Sequence, residues 1–472
     1  MYRLENSYLQ ILGWLDARSQ FLLRLAVIAG VLLASLYFGR RPSTRFILLP
    51  LVGIAGLILL RWPFVGLVAL LTGALLIPFS LGTGTQTDLN IVILLLPVLI
   101  GLWFLDMLVI QRGITLRPMR VVLPLLLLCL VALLAFLAGQ LPWFNALPKA
   151  PLMPQFGGLA LFWLSAGAFL LVAHQIRDLR WLEWLTWIFI ALGGLYILGR
   201  IIPLYGSAVT SLFPVSATGS LFWVWLTALS LAQGIFNKKL DRRVRFLLFL
   251  LVVGIFYVSY IRGRVWSSGW LPPAVAVLTI LTLWKPRLGA VVIFLVGVVF
   301  LLNYQKIIAN ILSLEEYSYI TRLAAWKVMI EIIKVSPILG LGPANYPFYT
   351  HLYPVLGYLI KFNSHNQYLD IIAQIGIVGF TCFAWFIWQV GKLGFSLVKQ
   401  SPEGFPRAYV YGALGGLTGT LAAGILGDWF IPFVYNIGLA GFRTSVFGWI
   451  FLGGMVALGQ IIEDSPEREA SP

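Results

Sequence analysis

The sequence predicts an all-α polytopic membrane protein with about 12–14 transmembrane helices. Hydrophobic residues make up 60% of its 472 residues and charged residues only 11%, and the mean hydropathy is +0.93. A soluble domain carries roughly 25% charged residues. Each membrane-spanning helix needs ~20 mostly apolar residues, and inside lipid only helices and closed barrels satisfy their backbone hydrogen bonds. The apolar runs are long and continuous rather than alternating, so they are predicted to be helices.

Fourteen apolar segments are predicted to cross the membrane, and residues 1–472 are treated as a single integral membrane domain. Residues 1–20 mix polar and apolar side chains and are predicted to form an interfacial helix, whereas the polar residues 463–472 are predicted to be a disordered tail. The fourteen segments lie near residues 21–39, 45–60, 63–79, 89–110, 119–139, 156–174, 181–201, 217–236, 245–261, 268–284, 288–303, 366–391, 407–426 and 443–462.

Lysine and arginine residues indicate which loops face the cytoplasm, because cytoplasmic loops carry an excess of them. The densest basic loop is NKKLDRRVR at residues 237–245, so it is placed inside. Basic loops facing anionic lipid then explain the formal net charge of +16, and no nucleic-acid partner is expected. The basic cluster at residues 40–45 disagrees with the rule, since alternation places it outside. The other segments placed outside are residues 80–88, 140–155, 202–216, 262–267 and 304–365.

Residues 304–365 form the only long loop on the predicted external side. Within it, YITRLAAWKVMIEIIKV, near residues 319–335, has apolar residues at helical spacing with charges between them. This stretch is predicted to be an amphipathic helix that lies on the membrane or over a cavity. Pro337 is expected to end the helix, and the Gly- and Pro-rich run SPILGLGPANYPFY is expected to follow as a loop.

His365 stands at the end of this loop, in the run FNSHNQYLD at residues 362–370, and is one of only 3 histidines in the chain. With Ser364 as the predicted N-cap, His365 falls in the first helical turn, where the positive end of the helix dipole favours the neutral ring. A neutral imidazole can accept a proton from a hydroxyl, so His365 is the candidate catalytic base. The alternative is an interfacial histidine that only caps the helix.

Arginines at the outer ends of predicted spans form a second group of candidates. Arg262 and Arg264 lie in YVSYIRGRVW, Arg200 lies in YILGRIIP, and Arg322 opens the amphipathic helix. The excess of arginine should be cytoplasmic, so arginines at these positions are candidates for binding a phosphate, whose oxygens a guanidinium can hold in bidentate pairs. The alternatives are snorkelling to lipid headgroups for the first three and a solvated helix face for Arg322.

Asp428, in LGDWFIP, is a further external side chain that either lines the site or caps a helix. The sequence contains no DxD sugar-nucleotide motif, no HExxH zinc motif and no recognisable Ser/His/Asp triad. Neither a metal nor a cofactor is therefore expected. A phosphate at this site would therefore be bound by arginines.

The motifs between residues 260 and 380 resemble the O-antigen ligase and polymerase superfamily of the Wzy-C type. The rest of the chain resembles that superfamily only as an array of membrane helices. The motifs are, in chain order, Arg-Gly after a span at Arg262, R-x-x-x-W at Arg322 and Trp326, P-x-x-G-x-G-P-x-N-Y from Pro337 to Tyr346, H-N-x-Y-L at His365, Asn366 and Tyr368, and I-G-x-x-G at Gly376 and Gly379.

This resemblance implies a GT-C-like glycosyltransferase in the bacterial inner membrane, with its active site on the periplasmic side. Such enzymes take a glycan from an undecaprenyl-diphosphate carrier and pass it to a lipid A-core or other glycan acceptor, in an inverting reaction thought to need no metal. The implied base is His365, and the implied diphosphate ligands are Arg262 or Arg264 together with Arg200 and Arg322. Implied or candidate secondary site residues are Asn366, Tyr368, Tyr346 and Asp428.

One position departs from the superfamily. Its members often read Ser-Arg-Gly where this chain reads Ile261-Arg262-Gly263, followed by Arg264. The departure leaves open which of the two arginines binds the phosphate. The sequence further predicts that His365, Arg200, Arg322 and one of this pair line one cavity at the external membrane boundary.

The first alternative to a ligase is a polymerase that extends lipid-linked repeats, and the next is a protein O-oligosaccharyltransferase with a different acceptor. A flippase for lipid-linked sugars is the alternative from another class. A flippase should hold cations deep within its helices, since intramembrane charges mark transport pathways. Here the arginines lie at helix ends, which favours the enzyme.

Overall fold

The computed structural model describes residues 56, 58–59, 61–82, 88–113, 116, 119–144, 147–202, 206, 208–209, 211–213, 219–263 and 266–464. Residues Met1–Arg61 and Trp62–Pro472 form two compact units, and all elements named below belong to the second. Three predicted segments lie outside the described residues. They are the interfacial helix at residues 1–20, the first two spans at residues 21–39 and 45–60 apart from residues 56 and 58–59, and the tail from residue 465. The prediction of a single membrane domain stays a prediction.

Twelve α-helices of fourteen or more residues follow one another within the described ranges, with one short β-hairpin, β1 (Ser80–Gly82) and β2 (Asp88–Asn90), between the first two. Two of the helices continue as π-helical turns, α2 over Asp106–Ile110 and α7 over Tyr257–Arg262. The helices are α1 (Pro63–Leu76), α2 (Ile91–Leu105), α3 (Val122–Ala138), α4 (Leu152–Gln175), α5 (Leu179–Ile201), α6 (Ser220–Phe236), α7 (Arg242–Phe256), α8 (Ser267–Trp284), α9 (Pro286–Ile333), α10 (Gln367–Gln400), α11 (Phe405–Leu426) and α12 (Gly438–Glu463).

Length and hydropathy confirm the predicted fold class, an all-α polytopic membrane protein. In the described part of the chain, eight helices are long and apolar enough to cross a membrane, and shorter apolar helices lie at four further positions. Each of the twelve spans predicted beyond residue 60 corresponds to one observed helix. Continuous apolar runs therefore located the helices, because a lipid-embedded backbone must satisfy its hydrogen bonds within the segment.

Helices α4, α6, α11 and α12 form the interior of the bundle, with α12 packed against α4, and α11 packed against α6 and α8. Glycines of α11 allow these close approaches. A Cβ at Gly415 would lie 2.7 Å from Ile280 Cγ1, and one at Gly416 would lie 2.5 Å from Trp225 Cζ3. Small residues at such contacts let helix backbones pack closely where lipid provides no hydrophobic drive.

Helix α9 differs from the predicted arrangement because it runs without interruption for 48 residues, from Pro286 to Ile333. The sequence predicted a span ending near residue 303, a loop, and a separate amphipathic helix near residues 319–335. Neither Gly nor Pro occurs between Val298 and Ser336, so no residue breaks the helix. The non-helical connection is therefore shorter than residues 304–365 and begins at Lys334.

Helix α10 is broken at Gly376, whose φ of 69° and ψ of −177° are not helical. Residues 337–346, here called the glycine loop, pair with the broken backbone. Leu341 N donates to Ala373 O at 2.9 Å, and Ile377 N donates to Pro337 O at 2.8 Å. The break frees helix backbone groups, and the loop satisfies them. The two glycine-containing motifs of the sequence thus form one structural unit at the start of α10.

Candidate active site

His365 lies two residues before the first residue of α10, with its side chain half-buried. Its φ is +46°, a left-handed conformation that few non-glycine residues adopt. Its backbone N–H donates to Asn363 Oδ1 at 3.3 Å. Because the backbone turns at His365, the helix starts later than predicted. The N-cap is Asn366, which accepts from Tyr368 N at 3.0 Å, so the prediction that Ser364 caps the helix was wrong.

A buried polar network supports the turn at His365. Ser364 Oγ donates to Asp370 Oδ1 at 2.7 Å, and the Tyr346 hydroxyl donates to the same carboxylate oxygen. Trp326 Nε1 donates to the Ser364 carbonyl at 2.8 Å. Ser364, Asp370 and Tyr346 are each at most 1% exposed. Three separate sequence motifs therefore converge on the residue that precedes His365, and this network fixes the turn.

On its other side, the His365 ring faces the segment between α11 and α12. Asn436 Nδ2 lies 3.4 Å from His365 Nδ1, and the same amide donates to Asp428 Oδ1. Asp428 is fully buried and also accepts from Phe433 N. With the amide in this orientation, Nδ1 is the acceptor nitrogen of a neutral imidazole and the ring proton is on Nε2. Asp428 is thereby joined to the ring through one intervening amide.

The charge states of His365 and Asp428 follow from their burial and, for His365, from the nearby guanidinium of Arg322. Burial, and then the guanidinium of Arg322, lower the pKa of His365 below its ordinary value of 6.5. Burial raises the pKa of Asp428 to about 6. At neutral pH the ring is therefore uncharged and able to accept a proton, while the carboxyl group is mostly ionised. Arg322, from α9, is therefore near enough to His365 to lower its pKa, and its role as a phosphate ligand stays a prediction.

Arg200 and Arg262 lie together at the ends of α5 and of the π-turn after α7. Arg262 Nη1 donates to the Arg200 carbonyl, and its guanidinium lies 5.3 Å from the Tyr257 ring centre. Both side chains are exposed, and within the described residues neither has an acidic partner. Arg264 lies outside the described residues.

Among the described residues, no hydrogen bond, ion pair or ring contact joins this arginine pair to His365 directly, so a shared cavity stays a prediction. The connection runs through two tryptophans. Trp266, four residues after Arg262, packs edge-on against Trp429 with ring centres 6.0 Å apart. Trp429 follows Asp428, which the Asn436 amide joins to His365. The arginine-bearing segment therefore packs against the segment that contacts the histidine.

Tyr368 begins an apolar cavity of about 580 Å³ between α10 and α11. Its hydroxyl donates to Leu421 O at 2.7 Å, which turns the ring toward α11. The cavity is lined by Tyr368, Phe380, Phe383, Ala384, Ile387, Trp388, Gly391, Lys392, Phe395, Leu417 and Leu421. An apolar cavity thus starts three residues after His365.

Sequence reasoning missed two residues of this site. Asp370 could have been found, because it is an isolated acidic residue in an otherwise apolar run and a buried polar group needs hydrogen-bond partners. Asn436 carries no such signal, since a single amide in FVYNIG is ordinary and its partner His365 is distant in sequence. Asn366 serves as the helix cap, and Tyr346 as a support of the turn.

Replacing Tyr346 by phenylalanine is expected to lower the free energy of unfolding by about 1–3 kcal/mol, because the buried Asp370 carboxylate loses one hydrogen-bond donor. Thermal unfolding in detergent would measure this. The matched control is Tyr349→Phe, a nearby buried tyrosine whose hydroxyl makes no hydrogen bond to the described residues. Equal midpoints for both variants would contradict a supporting role for the Tyr346 hydroxyl.

Comparison with known proteins agrees with the motifs. Residues 246–384 match the Wzy_C family model, described as O-antigen ligase. The match includes the π-turn with Arg262, all of the glycine loop, His365 and the break in α10. The resemblance predicted from residues 260 to 380 is thereby confirmed, and it supports a membrane glycosyltransferase-like function. A search of curated proteins finds no match.

Proposed function

We propose that this chain, which carries an O-antigen ligase domain at residues 246–384, transfers a glycan from a polyprenyl-diphosphate carrier to a hydroxyl of a glycan acceptor. The observation that carries the proposal is the His365 ring, which is half-buried, neutral at neutral pH and joined through Asn436 to the buried Asp428. This is the arrangement expected of a general base near a membrane surface. The implied setting is the external face of the bacterial inner membrane.

The proposed reaction is a single displacement at the anomeric carbon of the donor sugar. The acceptor hydroxyl takes the place of the Asn436 amide at His365 Nδ1 and gives its proton to that nitrogen. Its oxygen forms the new bond to the anomeric carbon, while the bond from that carbon to the diphosphate oxygen breaks and the diphosphate leaves with the electron pair. One displacement inverts the configuration. After its displacement the Asn436 amide stays hydrogen-bonded to Asp428, and the negative charge of that nearby carboxylate stabilises the imidazolium across space.

The exposed arginine pair is suited to the diphosphate. Guanidinium groups bind phosphate oxygens bidentately, and neither Arg200 nor Arg262 is neutralised by a carboxylate among the described residues. Positive charge at this position would stabilise the negative charge that develops on the leaving group. We propose that these arginines supply the neutralisation without a metal, together with Arg322 and, beyond the described residues, Arg264.

The apolar cavity that starts at Tyr368 is suited to the carrier lipid. Its volume is about 580 Å³, and apart from Lys392 its walls are aromatic and aliphatic residues and one glycine of α10 and α11. Moving a hydrocarbon chain from water into a cavity with such walls lowers the free energy. A donor whose isoprenoid tail occupies this cavity would have its diphosphate at the level of His365. Tyr368 would then contact the first isoprene units.

Reconstitution tests this function directly. The native chain would be purified in nanodiscs and supplied with undecaprenyl-diphosphate-linked glycan, with and without a lipid A-core acceptor. Glycan-linked acceptor is the product expected of a ligase. Longer lipid-linked chains formed without the acceptor would identify a polymerase instead. Absence of any transfer by folded protein with verified donor would overturn the proposal and favour a flippase.

Substitution of Arg262 by alanine is expected to lower kcat/KM for the donor by about 10²-fold, because one preorganised cation at the leaving group is lost. Arg262→Lys should restore part of this, since it keeps the charge but loses the bidentate geometry. The control is Arg287→Ala at the start of α9, an exposed arginine away from the pair. Equal values for Arg262→Ala and Arg287→Ala would exclude Arg262 as a diphosphate ligand.

A further inference from the structure

A second cavity, of about 470 Å³, lies beside His365 and differs in chemistry from the apolar one. Its volume falls within the range of roughly 300–1,000 Å³ that is typical of small-molecule sites. Its walls are three aromatic rings, three prolines and two polar side chains. The lining residues are Pro151, Pro154, Pro347, Phe348, Lys361, Phe362, Asn363 and Tyr435.

Two lining residues connect this cavity to the proposed base. Asn363 Oδ1 accepts from the backbone N–H of His365 at 3.3 Å. Tyr435 precedes Asn436, whose amide lies 3.4 Å from His365 Nδ1. A molecule in the cavity therefore contacts one residue that bonds the His365 backbone and one that is adjacent in sequence to the amide at the His365 ring.

The rings form an open aromatic wall. The Phe348 and Tyr435 rings have centres 5.7 Å apart and an interplanar angle of 56°. Lys361 Nζ lies 3.9 Å from the centre of the Phe348 ring. Flat aromatic faces pack against the C–H faces of pyranose rings, and a tyrosine combines such a face with a polar tip. A lipid tail could form no hydrogen bonds with the polar groups of this wall.

The polar groups of the wall are available for a ligand. Within the described structure, Lys361 Nζ contacts only the Phe348 ring, and Asn363 Nδ2 and the Tyr435 hydroxyl make no hydrogen bond. No carboxylate is among the described lining residues. The cavity combines hydrogen-bonding groups with aromatic faces, and a sugar offers hydroxyls and C–H faces to both. The unpaired ammonium of Lys361 adds a preference for an anionic substituent.

We propose that this cavity binds the terminal saccharide of the acceptor, with its ring against Phe348 and Tyr435 and an anionic phosphate substituent beside Lys361. The inference rests on the proposed transfer reaction and names the acceptor subsite of the same site. The two cavities thus divide the substrates by chemistry. The apolar cavity at Tyr368 takes the lipid of the donor, and the aromatic cavity at Tyr435 takes the sugar that carries the attacking hydroxyl.

Steady-state kinetics with a lipid A-core acceptor test this assignment. Tyr435→Ala is expected to raise KM for the acceptor by at least about 10-fold and to leave KM for the donor unchanged, because only acceptor binding is lost. Lys361→Gln should raise KM for the acceptor less, and its effect should vanish with acceptor whose phosphates have been removed. Tyr358→Ala is the control, since Tyr358 belongs to the same connection but is 64% exposed and does not line the cavity.

Three results would overturn the assignment. One is an acceptor KM that is the same in Tyr435→Ala, Tyr435→Phe and the native chain, each shown to be folded by its unfolding midpoint. Another is a change in KM for the donor alone, which would place the donor glycan in the cavity. The third is a Lys361→Gln effect that is equal for phosphorylated and dephosphorylated acceptor, which would remove the anionic preference.

A binding measurement separates this inference from the transfer reaction. Saturation-transfer NMR would use core oligosaccharide released from lipid A, with the protein in nanodiscs and no donor present. Signals that are seen with the native chain and Tyr358→Ala but lost with Tyr435→Ala would support the subsite even if no transfer occurred. Equal signals from native chain and Tyr435→Ala would overturn the subsite even if the native chain proved to be a ligase.

Discussion

Replacing His365 by alanine is expected to reduce kcat for glycan transfer by roughly 10²–10⁴-fold, the usual contribution of a general base. KM for both substrates should change little, because the ring acts on the proton and not on the bulk of either substrate. The assay is acceptor-linked product formed per minute by protein in nanodiscs. His351→Ala is the control, since His351 lies in the short turn Thr350–Leu352 of the same connection. Equal losses in the two variants would contradict a specific role for His365.

The pH dependence gives an independent test of the same base. The ring accepts a proton only when neutral, so activity should fall as pH drops through the pKa of His365, which burial and Arg322 hold below 6.5. The Arg322→Gln substitution removes one of the two causes of the low pKa of His365. The pKa of His365 then rises, and the acid limb of the kcat profile should move to higher pH.

Asp428 titrates nearby and must be distinguished from the histidine. Burial raises the pKa of Asp428 to about 6, and the other influences on it are hydrogen bonds, including those from Phe433 and Asn436. Arg322 is not among those influences. The Arg322→Gln substitution should therefore shift an acid limb that is set by the pKa of His365, but not one that is set by the pKa of Asp428. An acid limb that does not move in Arg322→Gln would mean that Asp428, and not His365, governs the profile.

The helices of this protein are predictable from sequence because their signal is local. Every described helix from Pro63 onward corresponds to an apolar run, because a backbone in lipid must satisfy its hydrogen bonds within the segment. The exception is α9, where the apolar run ends near residue 303 but the helix continues to Ile333. Hydropathy indicates which part of a helix is embedded in lipid, whereas Gly and Pro indicate where a helix ends. Residues 304–333 contain no Gly and no Pro.

The contacts that build the site are less predictable because they join distant residues. The motif around His365 identified a candidate base, but the Asn436 amide beside it is 71 residues away and carries no sequence signal. Serine and asparagine are both favoured as N-cap residues, so side-chain preference alone does not decide between Ser364 and Asn366. The choice between them depends on the left-handed turn at His365, which in turn depends on buried bonds to Tyr346, Trp326 and Asp370.

The same dependence on distant contacts explains why Gly376 should be the least replaceable glycine of α10. Its φ of 69° suits glycine alone, and a Cβ there would overlap the Ile338 carbonyl of the glycine loop. Gly376→Ala is therefore expected to lower the free energy of unfolding by roughly 3 kcal/mol or more, because left-handed strain adds to the overlap. Thermal unfolding in detergent would measure the loss.

Gly391→Ala is the matched control within the same helix. Gly391 has helical geometry, and a Cβ there would meet its nearest neighbour, Leu417 Cδ2, at 3.9 Å, which is an ordinary contact. Alanine favours the helix by about 1 kcal/mol over glycine, so this variant should unfold at the same or a higher temperature. Since the glycine loop ends at Tyr346, and Tyr346 supports the turn before His365, Gly376→Ala that still folds should also lose transfer activity. Normal activity and an unchanged midpoint in Gly376→Ala would mean that the break in α10 positions nothing at the site.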